Sequence, residues 1–162
     1  MAFVIFEGFL MSANIDITDQ KQIQELHALA QQKGSLENFD KEVFSELAQA
    51  ALRIGENDNA RVLMETVVHL EPEYDQGWVL LGRIHEYCAN IDGAIASYEK
   101  AIELNADGRT ILAIASLYIN RKDYSTARQW LKHILDQTLK ARQDGAFVQA
   151  SALWERLDNM EG

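Results

Sequence analysis

The stretch Asp75-Gln-Gly-Trp78-Val-Leu-Leu81-Gly82, followed along the chain by Ala94, Tyr98 and Ala101, decides the fold. Trp78, Leu81 and His85 fall on one face of a helix, and Ala94, Tyr98 and Ala101 on one face of another. Between them Asn90-Ile91-Asp92 carries the short polar side chains that favour a turn. Gly82 lies inside the first helix, where glycine costs about 1 kcal/mol relative to alanine. Its presence is explained by a second helix crossing too closely for a Cβ, with Ala94 the small residue expected to face it. The stretch therefore reads as an antiparallel helix pair. Such a pair cannot bury its apolar face alone, so its neighbours must repeat the pattern.

They do, at a period of 34 residues. Upstream, Phe44, Leu47, Ala48 and Ala51 mark a helix that begins near Lys41 and ends at Gly55. Asn57-Asp58-Asn59 then reads as a turn capping a second helix, which carries Ala60, Met64 and Val67. Pro72, the only proline, stops it, because proline lacks an N–H and restricts the residue before it. Downstream, Ile111, Ile114, Ala115 and Tyr118 precede the turn Arg121-Lys122-Asp123-Tyr124, and Ala127, Leu131 and Ile134 follow it. Phe147, Ala150, Trp154 and Leu157 place one apolar stripe on a closing helix near 145–158. In front, Ile23, Leu26, Leu29 and Ala30 share one face of a helix near 19–33 stopped by Gly34, either an N-terminal cap or a dimerisation element. Nothing reads as a strand of period two, so the expected fold is all-α.

Trp78-x2-Leu81-Gly82 with Ala94, Tyr98 and Ala101, and a proline at position 72, resembles the tetratricopeptide repeat. The resemblance implies an α-solenoid of three tetratricopeptide helix pairs, residues 41–74, 75–107 and 108–141, with a C-terminal capping helix completing a domain over 41–162. Residues 1–40 then form an N-terminal extension and helix. In this family the second, fifth, ninth and twelfth positions of each repeat line a concave groove. The resemblance thus implies a partner-binding groove of Ser45, Gln49 and Leu52, then Gln76, Val79, Arg83 and Glu86, then Arg109, Leu112, Ser116 and Ile119. This mixture of apolar and polar groups suits an extended peptide segment, apolar or basic, held by apolar anchors with polar groups setting its register.

One subtype does not fit. Co-chaperones that clamp the acidic tail of heat-shock proteins need lysines and asparagines where this chain has Ser45, Gln49 and Leu80. A closer likeness is to the class II chaperones of bacterial type III secretion, in Trp78-x2-Leu81-Gly82, Ala94-Ile95-x-Ser97-Tyr98, Arg109 and Ala115. That resemblance implies an adaptor or chaperone that keeps an apolar translocator soluble and dimerises through N-terminal helices. The chain lacks the glycine-rich stretch of those chaperones between Asp19 and Asn38. The alternative is a structural assembly subunit that self-associates through its N-terminal helix.

Composition narrows the remaining classes. The net charge of −10 repels phosphate backbones, so nucleic acid is not an expected partner. The charge is uneven: residues 1–107 hold 7 basic and 19 acidic side chains, residues 108–162 hold 8 and 6. An acidic N-terminal surface attracts a basic segment. A lone cysteine, Cys88, excludes an internal disulfide and fits the reducing cytoplasm, and its place inside a helix pair gives it a packing role. His27, His69, His85 and His133 match no zinc spacing, and no phosphate loop or nucleophile triad is present. The expectation is a non-enzyme with no cofactor and no metal. Trp78 and Trp154 are read as core residues and Trp130 as a boundary or surface residue, the one tryptophan that is a candidate for partner contact.

No run approaches the ~20 apolar residues of a membrane span. Residues 1–10 are apolar, with Phe3, Val4, Ile5, Phe6, Phe9 and Leu10, yet carry Glu7 and no basic region, a poor signal peptide. Met11-Ser-Ala-Asn also reads as a start. Residues 1–10 are then an upstream extension, or an apolar strip that docks on the domain, in its groove, or on a second copy.

Overall fold

The computed structural model describes residues 15–33, 39–104, 107–136 and 145–161. The apolar strip 1–10 and Gly34, expected to stop the N-terminal helix, lie outside the described residues. Within them lie eight helices and no strand: α1 Gln20–Lys33, α2 Lys41–Arg53, α3 Asn57–Leu70, α4 Asp75–Tyr87, α5 Ile91–Glu103, α6 Gly108–Asn120, α7 Tyr124–Leu135 and α8 Gly145–Glu161. Helices α2 and α3, α4 and α5, and α6 and α7 form antiparallel pairs; α3 then packs on α4 and α5 on α6, which stacks the pairs into a solenoid. Helix α8 closes the far end against α7 and α6.

The repeat is most regular in the backbone of its turns. Gly55, Ala89 and Lys122 all have left-handed φ, at 89°, 55° and 62°. After each, the next residue returns its N–H to a carbonyl five residues back: Glu56 to Ala51 at 2.9 Å, Asn90 to His85 at 2.8 Å and Asp123 to Tyr118 at 2.9 Å. This geometry closes the C-terminal end of the first helix and starts the second within one residue. Only the first of the three turns carries the glycine such a φ favours. Asn90 and Asp123 cap the helices they precede, accepting from the N–H groups of Gly93 and Thr126.

The first pair departs from the sequence reading here. Asn57, Asp58 and Asn59 are the opening turn of α3 and not its cap, a position taken by Glu56, whose side chain accepts no backbone N–H of the first turn. Asn59 is instead buried, and its Nδ2 donates to the Ile17 carbonyl at 3.0 Å, fastening the segment ahead of α1 to the start of α3.

The close crossing in the second pair is present, with a different partner. A Cβ on Gly82 would lie 2.5 Å from the Tyr98 ring, so the glycine accommodates a face of tyrosine and not Ala94. Tyr98 is fully buried and donates its hydroxyl to the Glu86 carboxylate on the facing helix. Burial, reinforced by that carboxylate, holds its phenol far above the usual value, so the ring stays neutral.

Helix α1 lies on α3, parallel to it, with Ile23, Leu26 and Ala30 buried in the core that α2, α3 and α4 share. The Thr66 hydroxyl donates to the Val62 carbonyl at 2.8 Å, so at the 2.8 Å contact with His27 it is the imidazole Nδ1 that donates. A dimer through Ile23 and Leu26 would have to reopen this core; their stripe is used within the chain. On α8 the buried line is Ala146, Ala150 and Leu157, while Phe147 and Trp154 of the expected stripe are half-buried. The Arg128 guanidinium covers the Trp154 ring at 5.5 Å and pairs with Asp158 at 2.6 Å. Trp130 is half-buried between the middle and C-terminal clusters.

Two substitutions test this packing. Gly82→Ala pushes a methyl into the Tyr98 ring and should lower unfolding free energy by about 1–3 kcal/mol in urea titration. Lys122→Gly relieves a left-handed side-chain residue; after the extra chain entropy of glycine it should raise stability by up to about 1 kcal/mol, read as a higher Tm.

Candidate functional site

The first helices of the three pairs meet at a cleft of about 460 Å³. Ser45 and Gln49 reach it from α2, Asp75, Gln76, Val79, Leu80 and Arg83 from α4, and Thr110 from α6, with Tyr74 and Asp107 at the N-caps of the last two. Helix α4 contributes most because it is the middle of the three. Its residues 76, 79, 80 and 83 fall on one face, while Leu81 and Ile84 turn into the core.

The floor is apolar, from Val79 and Leu80, and the walls are polar. Gln49 and Gln76 are exposed amides able to donate and accept. Asp107 is partly committed: its carboxylate accepts from the N–H groups of Arg109 and Thr110, and Arg109 Nε approaches at 3.8 Å. Asp75 accepts from the Gln76 N–H at 2.7 Å and takes no ion pair among the described residues. Arg83 is exposed. Tyr74 is fixed by Gly77, whose missing Cβ leaves room for the ring, and by Lys41 Nζ above it at 4.9 Å.

Ser45 is the exceptional group. It is only 7% exposed, and its hydroxyl has no hydrogen-bond partner among the described residues. A buried hydroxyl left unpaired carries a desolvation cost of about 1–3 kcal/mol. The oxygen itself is covered, so in this rotamer the hydroxyl is not offered to the cleft.

Of the residues expected to line the groove, the structure brings Ser45, Gln49, Gln76, Val79 and Arg83 together. Glu86 sits beside Arg83 and Tyr87 in a smaller adjoining hollow of about 340 Å³, with its carboxylate engaged by Tyr98. Leu52 is half-buried in the N-terminal core, and Leu112 is buried and Ile119 half-buried in the C-terminal one. Arg109 is exposed without lining the cleft, and the Ser116 hydroxyl donates to the Leu112 carbonyl at 2.8 Å. The third pair contributes through Asp107 and Thr110 instead, at the start of α6. Tyr74, Asp75, Asp107 and Thr110 were missed because fixed positions of an idealised repeat ignore the helix ends, and Leu80, in mid-helix, because it falls one residue beyond the position at Val79; the helix-start aspartates at 75 and 107 were the available signal.

A second cavity, about 720 Å³, lies on the opposite side between α3 and α5, with His27, His69, His85, Trp78 and Lys100 on its walls. Burial holds the imidazoles of His27 and His85 below their ordinary value. Among the described residues no group of three or more His, Cys, Asp or Glu converges as a metal site. Trp78 is half-buried, its indole N–H donating to the Pro72 carbonyl at 2.9 Å. Cys88 is likewise half-buried, and burial pushes its thiol up, away from reactivity. Among the described residues no helix is long and apolar enough to cross a membrane.

Comparison with known proteins gives this geometry a class. The family model described as "Tetratricopeptide repeat" matches residues 75–107. A search of curated proteins returned no match. Among solved structures, a point mutant of MamA superposes with a TM-score of 0.60 at 20% sequence identity, over 75% of this chain and 90% of that one. A crystal structure of MamA gives 0.57 at 19% identity over 78% and 81%, and another gives 0.57 at 20% over 78% and 65%. Residues 75–107 are thus a tetratricopeptide repeat, and the chain has the all-α tetratricopeptide solenoid fold that it shares with MamA.

The state of Ser45 is directly measurable. Ser45→Ala should leave unfolding free energy unchanged or raise it, whereas a hydroxyl satisfied inside the fold would cost about 1 kcal/mol on removal. Urea titration of the two proteins decides it.

Proposed function

We propose that this protein is an interaction module, an adaptor or chaperone, that holds an extended segment of a partner protein in the cleft between α2, α4 and the start of α6. The observation that carries this reading is the cleft's composition: exposed amides at Gln49 and Gln76 stand around the apolar floor of Val79 and Leu80. Amides match the alternating donors and acceptors of a peptide backbone, and the floor takes an apolar side chain. Asp75, Asp107 and the acidic surface of residues 1–107 favour a segment that also carries positive charge. The lone half-buried Cys88 is at home in the cytoplasm.

The likeness to type III secretion chaperones fits such a role, since an apolar segment held in the cleft would be kept from aggregating. With the stripe of α1 buried on α3, self-association through that stripe is not part of the proposal.

The test begins with capture of partners from the native host by the full chain and mapping of the bound segment. For that segment, Gln49→Ala with Gln76→Ala removes two exposed hydrogen-bonding side chains at about 0.5–1.5 kcal/mol each. Calorimetry should then show affinity weaker by roughly 5- to 150-fold with Tm unchanged. Affinity indifferent to this pair, but lost on Ala96→Glu in the opposite cavity, would overturn the assignment.

A further inference from the structure

Among the described residues the repeat leaves one face open. Each first helix uses four positions to pack on the pair before it. In α4 these are Gly77, Leu81, Ile84 and Cys88, of which the first three are buried against α3 and the last is half-buried. In α6 the same register, measured from the helix start, is Thr110, Ile114, Leu117 and Arg121, and again the first three are buried. In α2 the equivalents are Val43, Leu47, Ala50 and Ile54, at helical spacing on one face. Here Val43 is 45% and Ile54 57% exposed, and Leu47 and Ala50 are only half-buried. Helix α1 does not fill the gap, because it lies on α3. So α2 presents an inter-repeat face, apolar along its whole length, with no preceding pair among the described residues to cover it.

We propose that the apolar segment Phe3–Leu10 of the same chain covers this face of α2, acting as the missing layer of the solenoid. Three observations select this occupant. The described chain starts at Ile15, and Ile15 and Ile17 pack into the same core cluster as α2 and α3. The Asn59 bond to the Ile17 carbonyl then fixes the segment's point of departure at the first turn of α3, three residues of chain from Ile54. The face from Ile54 to Val43 runs eleven residues of helix, about 16 Å at 1.5 Å per residue. The twelve residues from Phe3 to Ile15 span that distance even at helical rise. Finally, Phe3, Val4, Ile5, Phe6, Phe9 and Leu10 supply apolar area to match four apolar positions, and a short tether gives an effective concentration on the order of millimolar. The segment contains no lysine or arginine, so it lacks the cation that the acidic cleft on the other side of α2 favours.

The experiment uses the full chain with Cys88→Ser and a nitroxide on a cysteine introduced by Ala2→Cys. The account expects amide signals of Val43, Leu47 and Ile54 to lose intensity, while those of Gln76, Val79 and Arg83 in the cleft and of α7 and α8 keep theirs. Adding Ile54→Asp should restore the α2 signals and leave the α7 and α8 spectrum unaltered, which shows that the fold survives. Three results would overturn the proposal. One is no loss at α2; another is loss centred on Gln76 and Arg83, placing the segment in the cleft. The third is loss at α2 when a spin-labelled unenriched chain is mixed with an enriched unlabelled one, which assigns the face to a second copy.

Discussion

The ring of Tyr98 lying on the bare backbone of Gly82 sets the spacing of the central helix pair, and the rest of the molecule is built out from that pair. A tyrosine buried to this depth needs both an absent side chain opposite its face and a partner for its hydroxyl, and α4 supplies the two one turn apart as Gly82 and Glu86. With α5 held this close, the opposite flank of α4 is free to carry Leu81 and Ile84 into the core shared with α3. Helix α5 in turn offers Ala94, Ile95 and Tyr98 to Ile114 and Leu117 of α6. One crossing thereby orients both neighbouring pairs.

The cleft is a consequence of that arrangement. Two faces of α4 are spent on α5 and α3, and the third is left between α2 and α6 with Gln76, Val79, Leu80 and Arg83 along it. The same constraint gives Glu86 a structural duty. It sits next to the cleft, but its carboxylate accepts the Tyr98 hydroxyl, which ties the rim of the cleft to the packing of the pair beneath it. Ser45 shows the opposite balance, a covered polar atom that the fold leaves unmatched.

Much of the fold was legible because helical repeats write their packing into local periodicity. The pairs, their turns and the closing helix follow from apolar spacing, Pro72 and the polar turns at Asn90 and Asp123. What was not legible is which side chain meets which. Gly82 announced a close approach, but choosing between Ala94 and Tyr98 needs the rotation of α5 about its axis, and one turn of helix separates the two answers. Asn59 looked like a cap by residue type, yet a carbonyl from the chain ahead of α1 claimed it, a contact 42 residues apart that no window of sequence contains. The cleft was half legible. Ser45, Gln49, Gln76, Val79 and Arg83 follow repeat positions, whereas Leu112 and Ile119 rotate into the C-terminal core where α8 draws that end of the stack closed. The stripe of α1 could be read, but its destination on α3 could not, since an apolar face does not name its partner.

The measurement that bears most directly on the central claim is hydrogen exchange of the full chain with and without its captured partner. The account predicts slowed exchange for amides at the start of α6 and along α4 from Gln76 to Arg83, together with those of α2 near Ser45 and Gln49. Protection confined to α5 and the opposite face of α3, with α4 and the start of α6 unaltered, would contradict it.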